Sequence, residues 1–255
     1  MTEKFHIYLV RPLFPRVIKP EPNTYSERWF TPFHVPISDA RTIPELNFVC
    51  SFAPLPRFRR IADVCCGLGR HARALSKRGY SVTGIDRNAT IIANARDLGG
   101  GPRYILAELR DYQPEIAAYD LVILMGQSFG HFDQATNQTV LKRLASGARK
   151  HGRVILDLWN PDFFISHEGE RDFNLSDGVV RERKYVQDGR LFVQLTYPND
   201  EQEDFDWQLF TRAEMEAMAA PLELKLIASC TDFDCSAEPC ASGPRIQFVM
   251  ERQTG

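Results

Sequence analysis

The run Ile61-Ala-Asp-Val-Cys-Cys-Gly-Leu-Gly-Arg-His71 constrains this chain more than any other stretch. A short apolar strand, Ile61 to Val64, breaks at Gly67 and Gly69. A helical stretch carrying Ala72, Leu75 and Arg78 follows, and then a second strand, Tyr80 to Asp86, that ends on an acid. Lacking Cβ, the two glycines let the backbone bend sharply and approach a ligand, while the helix behind them offers unpaired N–H groups. At the tip of the second strand Asp86 can accept hydrogen bonds from both hydroxyls of a ribose. Strand, glycine turn, helix, strand and acid, in that order, predict half of a nucleotide-binding α/β unit.

Two cofactor classes fit such a unit. A dinucleotide fingerprint asks for Gly-x-Gly-x-x-Gly or Ala with an acid about 20 residues on, and Gly67-Leu-Gly-Arg-His-Ala72 can be read that way. Asp63, inside the first strand, makes the difference. Asp63-Val-Cys-Cys-Gly-Leu-Gly69 resembles motif I of the class I S-adenosylmethionine-dependent methyltransferases. The resemblance implies a Rossmann-like α/β fold, a seven-stranded mostly parallel sheet with its last strand antiparallel, and S-adenosyl-L-methionine as cofactor. It implies that Asp63, Cys65, Gly67 and Gly69 form the cofactor turn, with Asp86 and Arg87 at the ribose and Arg70 reaching the cofactor carboxylate.

Further along, Asn88 caps a helix with Ile91, Ile92 and Ala95 inward, and Gly99-Gly-Gly-Pro102 ends it. Arg103 to Leu106 is a third strand. In the methyltransferase pattern an acid just beyond it meets the adenine amino group; Glu108 takes that place, with Leu109 supplying a backbone N–H and Asp111 in reserve. Tyr119 to Gly126 has no alternation and reads as a buried strand that brings Met125 to the cofactor. Gly126-Gln-Ser-Phe-Gly-His131 then resembles the substrate loop of glycine N-methyltransferase and its small-molecule relatives. That likeness sets Gln127 at the cofactor and the reacting centre, His131 and Phe132 at the substrate. A helix is expected over 133–150 and a fifth strand over Gly152 to Asn160. Where those relatives carry an Arg for the substrate carboxylate, this chain has Trp159, followed by a matching Asn160. A free amino acid thereby loses its anchor, and a flatter or more apolar acceptor is expected.

Outside residues 61–160 the chain departs from the basic fold. Residues 1–60 hold nine of the sixteen prolines, which predicts an irregular arm with one short helix near Glu45 to Phe52. Its aromatic residues, among them Phe14, Phe30, Phe33 and Phe48, are too many to leave in water. The arm either folds over the cofactor mouth as a lid, turning Tyr25, Arg28 and Trp29 to the ligand with Tyr25 at the reacting centre, or covers a sheet edge. Residues 161–210 predict an antiparallel insertion, with strands at 179–186 and 191–197 joined by an Asp-Gly hairpin turn and a third at 204–210. This insertion either caps the substrate or makes a homodimer contact. Residues 211–255 return to the core with a capping box at Thr211-Arg-Ala-Glu214 and two strands.

Composition narrows the partners. With 31 basic against 33 acidic residues and a formal charge of -2, the chain offers no footprint for nucleic acid, and no Asn/Asp-Pro-Pro-Tyr/Phe run follows the fourth strand. An RNA methyltransferase and a cofactor-binding protein without turnover are thus the lesser alternatives to an enzyme acting on a small molecule. Among the histidines, His131 is the first choice for substrate contact, with His71 and His34 behind it. The expectations are completed by six reduced cysteines, no metal, no membrane span and a cytoplasmic location.

Overall fold

The computed structural model of the protein describes residues 23–26, 28–29, 39–175, 178–236 and 238–253. Phe14, Phe30, Phe33 and His34 lie outside them. Helix α1 (Asp39–Phe52) is longer than expected and contains Pro44. The missing N–H at Pro44 is outweighed by what α1 buries: Leu46, Phe48 and Val49 enter the core, and Glu45 becomes an ion-pair centre.

The sheet is built from β1 (Arg60–Val64), β2 (Ser81–Asp86), β3 (Arg103–Leu106), β4 (Tyr119–Leu124) and β5 (Ala148–Trp159), with α2 (Arg70–Lys77), α3 (Ala89–Asp97) and α4 (Gln134–Gly147) between them. After an insertion, α6 (Arg212–Ala219), β10 (Leu224–Thr231) and β11 (Arg245–Arg252) complete it. The strand order is β3-β2-β1-β4-β5-β11-β10. Strands β1 to β5 pair in parallel and β11 pairs antiparallel with both β5 and β10. This is the expected fold. Every residue of β4 is buried, as a central parallel strand covered on both faces requires. One apolar cluster, including Leu141, Leu144 and Phe210, covers one face; another, including Phe48, Leu75 and Ile92, covers the opposite one. No helix among the described residues is long and apolar enough to cross a membrane.

The caps form where local side chains decide them. Asn88 caps α3 by accepting the Ile91 N–H at 3.1 Å, and Thr211 and Glu214 form the capping box of α6. The helix expected over 133–150 instead stops at Gly147, and residues 148–151 already belong to β5, with Ala148 paired to Tyr119. There Asp120 anchors the chain, accepting the backbone N–H groups of Arg59 and Arg60 and the Arg149 Nε–H at 2.5 Å.

The insertion has an unforeseen helix, α5 (Pro161–Ser166), and four strands in place of three: β6 (Gly169–Leu175), β7 (Gly178–Gln187), β8 (Arg190–Thr196) and β9 (Gln202–Gln208), paired antiparallel in sequence order. Strand β6 has no buried residue, so its sequence shows no apolar alternation. The β7–β8 turn has Asp188 and Gly189 both at positive φ, 50° and 72°, which matches the twist of a two-residue hairpin. A third apolar cluster joins this sheet to the core through Trp29, Trp159 and Phe164. The expectation of six reduced cysteines is corrected at one pair: Cys230, at the end of β10, is bonded to Cys235, with Cα atoms 4.7 Å apart.

Candidate active site

Beyond β1 the chain turns through Cys65, Gly67 and Gly69, all at positive φ. A Cβ on Gly69 would overlap the Tyr104 hydroxyl from β3, so a side chain here would have to displace the Tyr104 ring as well as adopt a left-handed φ. The Asp86 carboxylate ties the turn together: Oδ2 accepts the Gly67 N–H at 2.9 Å and Oδ1 accepts the Asn88 N–H at 3.0 Å. Each oxygen keeps a further lone pair. Asp86 thus joins the glycine turn, β2 and α3 while lining a cavity of ≈ 670 Å³.

Cys65, Gly67, Arg87, Glu108, Leu109, His131 and Phe132 also line this cavity, as do Tyr25 and Trp29. Arg87 lies 3.6 Å from Glu108 and donates to the Asn23 carbonyl at 2.7 Å. Beneath the turn, Asp63 is 1% exposed and its Oδ2 has no partner among the described residues. Burial pushes its carboxyl up to about 6, against the pull of His71 and Arg70. Carboxylates at Asp86 and Glu108 on the cavity wall, with Asp63 buried behind the turn and lining neither cavity, make a poor cradle for a pyrophosphate and a good one for a ligand with ribose hydroxyls and an adenine amine.

A second cavity of ≈ 920 Å³ meets the first at Tyr25, Trp29 and Gly126. Its walls come from both sheets, with Trp159, Phe163, Phe164, Leu191, Phe205 and Trp207 among them. The aromatic wall is continuous: Tyr25 stacks on Phe205 at 5.1 Å, and Trp159 meets Trp207 edge-on at 5.9 Å. The chain has three tryptophans, and all of them line this cavity.

Residues 61–152 match the family described as methyltransferase domain. This part of the chain is a class I S-adenosylmethionine-dependent methyltransferase domain. Glycine N-methyltransferase of Oryctolagus cuniculus is 30% identical over 127 residues, which are 42% of this chain and 43% of that protein. The chain therefore spans less than half the length of the curated relatives it matches first. In fold, an S-adenosylmethionine-dependent methyltransferase from Clostridium acetobutylicum superposes with a TM-score of 0.70 at 15% identity, over 84% of this chain and 92% of that one. The sugar N-methyltransferase of a Streptoalloteichus species gives 0.66 at 15% identity, over 99% and 98% of the two chains.

Within the methyltransferase domain and its surroundings, several expected site residues are placed elsewhere. Met125 is 4% exposed in the core and lines neither cavity. The Arg70 guanidinium is bound to Glu45 and Thr42 and faces the second cavity, because the buried Glu45 carboxylate competes for it. Gln127 also turns away from the first cavity: its Nε2 donates to Asp157 at 2.8 Å and it lines the second. Asn160 is 1% exposed, caps α5, and donates to the Cys240 and Gly243 carbonyls at 2.8 Å. Its amide is thereby spent on the fold. Arg28 faces Asn199, Glu201 and the Tyr197 ring instead of a ligand. Asp111 is exposed and lines neither cavity.

Two residues near the site gave no signal in the sequence. Asn23 is 7% exposed. Its Oδ1 accepts the Asp206 N–H at 3.1 Å and its Nδ2 donates to the Asp206 carbonyl at 3.0 Å, which fixes the amide's orientation. The same Nδ2 faces His131 Nδ1 at 3.0 Å. An amide nitrogen only donates, so Nδ1 of His131 is the acceptor and Nε2 carries the proton. Desolvation, with Arg87 and Arg190 nearby, lowers the imidazole to about 3. His131 is therefore a neutral hydrogen-bond donor. The second residue is Glu45, 1% exposed, which gathers Arg70, His71 and Arg245 around one carboxylate. Burial raises its carboxyl, but the hydrogen bonds from His71 and Arg70 and the Arg245 charge outweigh this and hold it well below the carboxylate range.

Proposed function

We propose that the chain moves the methyl group of S-adenosyl-L-methionine to a small-molecule acceptor held in the second cavity, with nitrogen ahead of oxygen, and does so in the cytoplasm. The observation that carries this reading is the meeting of the two cavities at Tyr25, Trp29 and Gly126. A cofactor on the glycine turn and an acceptor among the aromatic side chains would face each other across that junction. The cofactor, when bound, supplies a methyl group on a sulfonium, already a strong electrophile. What the chain must add is alignment and the exclusion of water, and orientation alone contributes about 7–11 kcal/mol in favourable cases.

In this reading Asp86 holds the ribose hydroxyls, Glu108 and the Leu109 N–H meet the adenine, and Asp63 balances the cationic chain from below the turn. Tyr25 and Trp29 close over the junction, Trp159 bounds the acceptor, and Phe132, expected at the substrate, lines the first cavity. His131 gives a hydrogen bond from Nε2 and removes no proton. A neutral amine needs no base for the transfer, whereas a hydroxyl does. Nitrogen is also what the names of the glycine and sugar N-methyltransferases specify for those proteins. A hydroxyl acceptor has one supporting observation. His167 lines the second cavity, and its Nδ1 lies 2.8 Å from the Phe163 carbonyl. A carbonyl only accepts, so the proton is on Nδ1 and Nε2 is left able to take one.

Calorimetric titration with S-adenosyl-L-methionine and with NAD tests the cofactor. Binding of the first alone is expected, with the affinity lowered at least about tenfold in Asp86→Ala through loss of charge-assisted hydrogen bonds. Binding of NAD, or full affinity in Asp86→Ala, would refute the assignment. Transfer of labelled methyl to benzylamine and to benzyl alcohol then compares nitrogen with oxygen.

A further inference from the structure

Cys230, Cys235 and Cys240 follow one another at equal spacing, and the structure joins the first two across a sequence separation of 5. Inside the short turn so closed, Asp232 and Phe233 both hold left-handed backbone, at φ of 47° and 68°. A residue with a side chain enters that region only when its surroundings force it. Thr231 and Asp234 bridge the ends of the turn. What the turn presents is Phe233. Its N–H donates to Gln247 Oε1 at 2.7 Å, its ring lies 4.5 Å from the Arg245 guanidinium, and it meets Phe48 of α1 edge-on at 5.3 Å. Gln247 donates in turn to Asp157 at 2.8 Å, and Arg245 binds Asp157 and Glu45. The chain beyond the turn is tied to it as well: Asp232 accepts the Arg245 N–H at 3.2 Å, and Thr231 accepts the Cys240 N–H at 3.1 Å. Pro244 and Arg245 line the second cavity. The turn therefore props one wall of that cavity.

We propose that the Cys230–Cys235 disulfide is a redox switch on this wall: oxidised, it holds Phe233 against Arg245, and reduced, it lets the turn relax and the wall loosen. A loop this short removes little freedom from the unfolded chain, so the bond is a poor general staple. Its effect falls on the turn, where it keeps two residues in a conformation they would otherwise leave. The two sulfurs differ in access. Cys235 is exposed and Cys230 is buried, so an incoming thiolate meets Cys235 Sγ. With a dithiol as reductant, one thiolate bonds to Cys235 Sγ as the Sγ–Sγ bond breaks, and Cys230 leaves as a thiolate that takes up a proton. The second thiol of the reductant then attacks its own bonded sulfur and releases Cys235. The reductant ends as a disulfide, and its two electrons and two protons end on Cys230 and Cys235. A low-molecular-weight disulfide closes the pair again by the reverse exchange. In a reducing cytoplasm the pair is open until such an oxidant accumulates, so the wall is firm only under oxidising conditions.

The switch rests on the methyl-transfer reading only where this cavity is called the acceptor's, since the response of the wall is measurable without turnover. Thiol titration of the denatured chain and hydrogen exchange of the native full chain, each before and after dithiothreitol, test it. Four thiols, those of Cys50, Cys65, Cys66 and Cys240, should react in the oxidised chain and all six after reduction. Reduction should speed exchange over residues 231–247 at least about tenfold and leave residues 61–90, around the glycine turn, unchanged. Oxidised glutathione should restore the slow rate. Cys235→Ser should exchange fast with or without reductant, and Cys240→Ser should respond as the wild type does. Six thiols without reductant, slow exchange over 231–247 in the reduced chain or in Cys235→Ser, or a Cys240→Ser chain that no longer responds would overturn the proposal. So would acceleration across the whole sheet, which would make the bond a general staple. Binding of S-adenosyl-L-methionine is scored separately, and its failure in both redox states would sink the cofactor assignment and leave the redox result standing.

Discussion

Acid should destabilise this protein through His131. The imidazole is neutral in the folded chain down to about pH 3, held there by desolvation and by the charges of Arg87 and Arg190. In the unfolded chain it takes up a proton near its ordinary value of 6.5. Above pH 6.5 both states are neutral and the residue makes no difference. As pH falls below 6.5 the unfolded state binds a proton that the folded state refuses, so stability is lost progressively until the folded pKa is reached. Integrating the proton difference from pH 8 to pH 5 gives about 2 kcal/mol, and from pH 8 to pH 3 about 4–5 kcal/mol. Urea unfolding of the wild type and of His131→Gln at pH 8 and pH 5 isolates this contribution, because all other titrating groups cancel in the comparison. The wild type should lose about 2 kcal/mol more than the variant. Long-range proton–nitrogen correlation spectra should show an unprotonated Nδ1 and a protonated Nε2 across that range. Equal acid sensitivity of the two chains, or an imidazole titrating near 6.5, would refute both the burial argument and the assignment of His131 as a neutral donor locked by Asn23.

Two further outcomes are expected. Glu45→Gln should cost about 3–5 kcal/mol in urea unfolding, because it leaves Arg70 and the 7%-exposed Arg245 short of a counter-charge; a loss below 1 kcal/mol would show that the arginines find water instead. Gly69→Ala should cost about 2–4 kcal/mol, combining a left-handed φ of 75° with overlap against the Tyr104 ring. Shortening the obstructing side chain with Tyr104→Leu should give part of that back in the double variant, and strict additivity would place the cost in the backbone alone.

The residues that revealed the cofactor half of this protein are those whose chemistry is local. Gly67 and Gly69 sit at positive φ, Asp86 is two residues from the Asn88 N–H that it accepts, and Thr211 finds its capping partner three residues on. Backbone sterics and short-range hydrogen bonds act over a few positions, so their signatures survive in a linear string. That is why the succession of strands and helices around the glycine turn, and the acid at the end of the second strand, are legible in the sequence.

The acceptor half was decided by contacts between distant residues. Asn23 fixes the His131 tautomer across 108 positions, and Arg245 reaches Glu45 across 200. Arg70 and Gln127 were expected at the cofactor, but each was captured by a buried carboxylate, Glu45 or Asp157, that no spacing rule connects to it. Asn160 likewise spends its amide on a loop that follows the tenth strand. Burial strengthens each of these electrostatic pairings, and burial belongs to the packed chain, since only packing sets which charges share a low-dielectric space and in which direction their atoms point. The sequence therefore determined what kind of ligand the glycine turn can hold, and the tertiary structure decided which side chains remain free to meet its partner.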